Sequence, residues 1–180
     1  MGEVKMHVGV QGIGTSKIEL EFLRRHGVTH MDATVDSNDA ETLMRHKQEA
    51  KAEGISLEMI HHDPPRSITL AQDPDRDKDI EQYCKVIENV GTAGLRGINY
   101  NFCVLGHQRT ASTPGRGGSM YSTFNLSHYD NNTLSDAGTV SRDESFDRAG
   151  YFLEHVIPVA ESYKVQMASH LDDPPAPILR

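Results

Sequence analysis

Apolar residues along this chain come in short bursts that alternate between two periods. Residues 6–10 (MHVGV), 28–33 (VTHMDA), 55–60 (ISLEMI), 95–102 (LRGINYNF) and 165–169 (VQMAS) are compact, apolar-rich runs of strand length. Between them the apolar spacing opens to three and four. Ile18, Phe22 and Leu23 predict a helix over 16–26, with Ser16 as N-cap and Gly27 as terminator. Ala40, Leu43, Met44 and Ala50 predict a second over 39–53, closed by Gly54. The clearest stripe is Ile80, Tyr83, Cys84, Ile87 and Val90, in a helix over 77–90. A last stripe runs from Phe146 through Ala149, Leu153, Val156 and Ile157 to Ala160. It predicts a helix over 144–163 that Pro158 should kink or shorten by a turn.

Strands and helices alternating through short, glycine-closed junctions are the pattern of right-handed βαβ units, so the class is α/β with parallel strands. An open doubly wound sheet and part of a (β/α)8 barrel both accommodate five such units. The polar residues favour the barrel. Asp32, His61, His62, Asp63, Asn101 and His170 gather after the strands, where barrels build their sites. A complete barrel has eight strands and typically about 250 residues. The 180 residues therefore read as a partial (β/α)8 TIM barrel of about five βα units, one incomplete domain over 1–180. Residues 103–143, between the fourth strand and the helix after it, have no hydrophobic period and are expected to form a long loop or lid. That stretch holds Arg109 and the run 112–118 (STPGRGG), whose backbone N–H groups and guanidinium suit an anionic ligand.

Charge and composition remove several classes. The net charge is −8 and no basic stripe appears, which argues against a nucleic-acid surface. No run approaches the roughly 18 apolar residues of a membrane span and no signal-peptide pattern is present, so no membrane partner is expected. Cys84 and Cys103 are isolated, which makes a reducing cytoplasm the default location. The run 9–14 (GVQGIG) has the strand–turn–helix context of a dinucleotide loop. Lys17, however, stands where the third glycine is needed, and a glycine-rich turn is the better reading.

Among candidate chemical residues, neighbouring His61 and His62 must point to opposite faces while strand geometry lasts, so at most one faces a barrel centre. Both are read as exposed turn residues. His170 is the stronger candidate for a metal or catalytic role. It ends a strand, with Asp172, Asp173, Pro174 and Pro175 at its shoulder, and a neighbouring carboxylate often orients a functional imidazole. No spaced pair of further ligands accompanies it.

The segment 151–161 (YFLEHVIPVAE) followed by 170–179 (HLDDPPAPIL) resembles the mannonate dehydratase family. That family carries a helix of the type FLxxxIPVAEE leading to a strand that ends HPDDPPxPIL; Leu171 replaces the usual proline. Tyr100, Asn101 and Phe102 are similar to the family's YNF element, Arg109 and Thr110 to its RT element, and 113–118 (TPGRGG) to one branch. The resemblance implies a xylose-isomerase-like barrel and dehydration of D-mannonate to 2-dehydro-3-deoxy-D-gluconate in hexuronate breakdown, with Mn2+ or Fe2+ as cofactor. It implies His170 as a metal ligand. Arg109 then becomes the candidate for the substrate carboxylate, which a guanidinium fork matches, and Asn101 for sugar hydroxyls. The family's remaining ligands, a cysteine, a histidine and an aspartate, belong to strands six to eight. The chain is therefore expected to be an N-terminal portion, inactive alone, whose partners are a small sugar acid and either further copies of itself or a C-terminal half. The sequence names no catalytic base. Two rival expectations are another metal-dependent sugar isomerase or epimerase of the same superfamily, and a non-catalytic remnant.

Overall fold

A computed structural model describes residues 7–171, 173, 174 and 176. Met6, the expected start of the first strand, lies outside them. The strands are β1 (Gly9–Ile13), β2 (His30–Ala33), β3 (Ser56–His61), β4 (Gly97–Tyr100), β5 (Ala111–Pro114), β6 (Met120–Thr123) and β7 (Gln166–Ser169). The helices are α1 (Lys17–Arg25), α2 (Ala40–Ala52), α3 (Arg66–Thr69), α4 (Asp75–Thr92) and α5 (Arg142–Tyr163). One sheet has the order β1-β2-β3-β4-β7, with every neighbouring pair parallel. The α/β expectation holds, and so does the run of parallel βα units.

Local chemistry accounts for the helix ends. Ser16 and Glu19 form a reciprocal capping box at α1, and Ser141 and Glu144 form another at α5. Asp39 accepts from the backbone N–H of Thr42 at the start of α2. Gly27 and Gly54, at φ 74° and 76°, close the first two helices in the left-handed conformation. α5 runs through Pro158 without a break. Val156 and Ala160, on either side of the proline, are both buried, and their packing holds the last turn in place.

The helices cover one face of the sheet. Ile60 and Ile98 from the strands, Ile87 and Val90 from α4, and Phe152 and Val156 from α5 are fully buried there. Each such side chain contributes roughly 1.5–3 kcal/mol of burial free energy. The two longest helices approach closely at Gly91, where an added Cβ would lie 2.7 Å from Tyr163 Cβ. Two predicted stripes are shifted. In α1 the buried residues are Leu20 and Leu23, whereas Ile18 and Phe22 are exposed. In α5 the buried line is Phe152, Val156 and Ala160, and Phe146 is exposed. The region expected to form a long loop or lid contains an antiparallel hairpin, β5–β6, which stands apart from the main sheet. No helix among the described residues is long and apolar enough to cross a membrane.

Candidate active site

The face of the sheet away from the helices carries a concavity of about 410 Å3 that touches all five parallel strands, through Gln11, Asp32, Met59, Asn99 and Ala168 among others. Register brings these side chains together: Asp32 lies beside Met59, His61 beside Asn99, and Asn99 beside Ala168. Asn99 Nδ2 donates to Asp32 Oδ2 at 2.7 Å. The other Asp32 oxygen is buried with no hydrogen-bond partner. Burial pushes the Asp32 carboxyl above the ordinary carboxylate range, against the Asn99 hydrogen bond and the nearby His61 ring.

Just beyond the strand ends, Asp63 Oδ1 gathers three donors. It accepts from the Asn101 backbone N–H at 2.6 Å and from Asn101 Nδ2 at 3.1 Å, and His61 Nε2 lies 3.2 Å away. Burial works to raise the Asp63 carboxyl, but these donors hold it below its ordinary value. The Asp63 carboxylate 3.2 Å from Nε2 favours the proton on that nitrogen, Asn101 Nδ2 lies 3.5 Å from the same atom, and Nδ1 has no hydrogen-bond partner among the described residues. Asn101 is buried at 7 % exposure, and its Nδ2 stands between Asp63 Oδ1 at 3.1 Å and His61 Nε2 at 3.5 Å.

His62 differs in kind. Its ring stacks on Tyr83 with centroids 5.0 Å apart, and Asn38 Nδ2 lies 3.2 Å from its Nδ1. Burial holds this imidazole below its ordinary pKa. The expectation of two exposed turn histidines is thus corrected: His61 closes β3 and His62 is packed behind it. Strand alternation is the physical reason, since consecutive residues leave the sheet on opposite sides.

His170 follows β7, and its backbone N–H donates to Tyr100 O at 2.8 Å, which continues the β4–β7 pairing by one residue. Its exposed ring places Nδ1 2.6 Å from Leu171 O. The ring of His107, from the loop after β4, meets it edge-on at 6.2 Å. No sequence motif marks His107; only the path of the loop brings it there. Arg109 uses all three guanidinium nitrogens. Nη2 meets Asp173 at 2.5 Å, Nε donates to Ser122 Oγ at 2.9 Å, and Nη1 donates to Gln108 O at 2.8 Å. The fork thereby ties the hairpin to the segment after β7. Asn101 and His170 stand on adjacent strands, while Arg109 approaches from the loop side. Asp172, predicted as a shoulder of His170, lies outside the described residues.

The described residues do not by themselves fit a divalent cation, because no group of three or more His, Cys, Asp or Glu side chains among them could hold one. A larger cavity, about 660 Å3, lies elsewhere, between α1 and α2. There the Thr15 hydroxyl lies 2.7 Å from His46 Nδ1, and His46 Nε2 lies 3.0 Å from Asp36. Both nitrogens of this buried imidazole are engaged, so it fastens the β1–α1 junction to α2.

Comparisons with known proteins agree with this picture of parallel βα units. A family model described as D-mannonate dehydratase (UxuA) matches residues 4–137 and 130–180. The chain is 30 % identical over 172 residues to a mannonate dehydratase of Shouchella clausii, covering 75 % of this chain and 47 % of that one. It is 25 % identical to the Bacillus subtilis mannonate dehydratase over 93 % of this chain and 57 % of that protein. The chain thus spans about half the length of the curated relatives it matches. The crystal structure of mannonate dehydratase from Streptococcus suis serotype 2 superposes with a TM-score of 0.81 at 25 % identity, over 97 % of this chain and 56 % of that one. A D-psicose 3-epimerase from Clostridium cellulolyticum shares the fold at a TM-score of 0.59 and 16 % identity, over 90 % of this chain and 51 % of that one. The architecture is therefore part of a (β/α)8 barrel.

Proposed function

The chain belongs to the D-mannonate dehydratase family, and from that premise we propose that it supplies the strand β1-to-β7 part of a site that dehydrates D-mannonate to 2-dehydro-3-deoxy-D-gluconate. The observation that carries this reading is the cluster of His61, Asp63, Asn101 and His170 at the C-terminal ends of adjacent parallel strands, where barrels build catalytic sites. In this reading Arg109 exchanges Asp173 for the substrate carboxylate, because one carboxylate can replace another on the same guanidinium fork. Asn101 faces the sugar hydroxyls and fixes Asp63 beside them. Mn2+ or Fe2+ belongs to the proposal with His170 as one donor and the other donors drawn from outside the described residues. A cytoplasmic setting and a place in hexuronate breakdown are part of the same proposal.

The test is to supply the 180-residue chain with Mn2+ or Fe2+ and D-mannonate, alone and together with the C-terminal half of a relative's barrel. Metal uptake and product formation are then measured. Product in either mixture supports the reading. Failure to bind or convert D-mannonate in both, or turnover of a ketose instead, overturns it.

A further inference from the structure

Resting on the dehydration proposed above, we infer that His61 is the base of this site, the group that takes the proton from the carbon beside the sugar acid's carboxylate. Three observations converge on this ring. Asp63 Oδ1 lies 3.2 Å from Nε2, and a carboxylate at that nitrogen, nearer than the Asn101 amide at 3.5 Å, favours the tautomer with its lone pair on Nδ1. Asp63 is itself immobilised by the Asn101 backbone N–H and amide, so the ring is held by a carboxylate that cannot swing away. The ring stands in register with Asn99, on the face that holds the concavity, and keeps a side-chain exposure of 25 %. A base oriented by a third group and open at its lone pair is the arrangement proton abstraction requires. Other histidines are committed: His46 on both nitrogens, His62 to Asn38 and Tyr83, and His26 and His155 to carbonyls of their own helices.

The step balances without an oxidant or reductant. Nδ1 takes the proton from the carbon beside the carboxylate, and the C–H electron pair forms a double bond to the next carbon as that carbon loses its hydroxyl. The imidazolium returns its proton to the departing oxygen, which leaves as water. The enol that remains becomes the 2-keto acid by moving its hydroxyl proton to carbon. Asp63 stabilises the imidazolium between the two transfers and positions the ring without touching substrate.

Long-range proton–nitrogen NMR of the histidine rings in the 180-residue chain tests this, with D-mannonate titrated in. The His61 signals are identified as those missing from His61→Gln. The expected result is a protonated Nε2 and a bare Nδ1 in the free chain, an Nδ1 shift on adding D-mannonate, and unmoved His62 signals. In heavy water the wild-type chain should exchange the hydrogen beside the carboxylate at least about 100-fold faster than the variant, the range expected of a positioned base. Binding of D-mannonate with the His61 nitrogens unmoved, or equal exchange in a folded His61→Gln, overturns the base and leaves the dehydratase reading intact. A wild-type chain that fails to bind D-mannonate both alone and together with the C-terminal half of a relative's barrel overturns both.

Discussion

Asp32 and Asp63 are the same side chain in opposite circumstances. Asp32 has one donor, Asn99, and an oxygen buried without a partner, whereas Asp63 has three donors on a single oxygen. A carboxyl raised on folding binds its proton more tightly in the folded state. The stability it contributes is therefore present below the unfolded pKa of about 4 and is lost as pH rises. Asp32→Asn is accordingly expected to stabilise the fold by about 1 kcal/mol near pH 7, with the gain shrinking toward about pH 4. Urea unfolding at the two pH values checks it, and a loss at neutral pH would mean that the Asp32 charge has a partner. Asp63 has the reverse sign: its folded pKa is lowered, so its contribution is present at neutral pH and fades as pH falls through that folded value. Position after a strand grouped Asp32, His61, His62, Asp63, Asn101 and His170 in the sequence, but it left His61 and His62 as exposed turn residues. Which of His61 and His62 faces inward was not legible, because alternation fixes that the two differ and leaves the phase to packing around Tyr83. His107 could not be found, since nothing in an unpatterned loop says which residue will meet the end of β7.

At the scale of the element, the ends of the helices were more legible than their faces. Ser141 caps α5 by accepting from the Glu144 N–H at 3.2 Å, while the Glu144 carboxylate takes the Ser141 N–H at 2.7 Å. Both interactions are lost or weakened by Ser141→Ala, which should cost about 1 kcal/mol. Thermal unfolding checks the cost, and a Ser141→Asp variant, which restores an acceptor at the cap, should recover most of it. The buried stripe of α5 was misread because Phe152 sits in an aromatic cluster with Tyr83, Tyr100 and Phe102, at centroid distances of 5.0, 5.9 and 5.7 Å. That cluster rotates the helix so that Phe152 rather than Leu153 points inward. The β5–β6 hairpin escaped prediction for a different reason. Its strands, ASTP and MYST, are exposed nearly throughout and bury no face, so no alternation marks them. The sign that was present is the turn chemistry between them, where Gly117 takes a left-handed φ of 65°.

Across the whole molecule, two parts are held by different forces, and only one of them had a signature in the sequence. The five parallel strands and their helices share one dry core, so their order and direction followed from apolar periodicity. The excursion after β4 is fastened mainly by polar contacts that no periodicity announces. Arg66 reaches Val104 O at 3.1 Å and Asp136 at 2.5 Å, and Arg109 reaches Asp173. These ion pairs are partly open to solvent, with side-chain exposures of 47 % and 68 % in the first and 32 % and 41 % in the second. Each is worth at most about 1 kcal/mol, and salt screens both. Backbone hydrogen exchange should therefore divide the chain in two. Raising salt from about 0.05 to about 0.5 M, over which the Debye length falls from roughly 14 to 4 Å, should speed exchange of hairpin amides such as Thr110 and Gly115. Sheet amides such as His62 and Gln166 should keep their rates. The double variant Arg66→Ala, Arg109→Ala should produce the same pattern at low salt and become insensitive to further salt. If hairpin and sheet amides lose protection together, the excursion unfolds only with the core, and the ion pairs do not govern its release. If they separate, Arg109 can let go of Asp173 without disturbing the strands that hold His61 and Asn101, which is the freedom that substrate capture by this arginine requires.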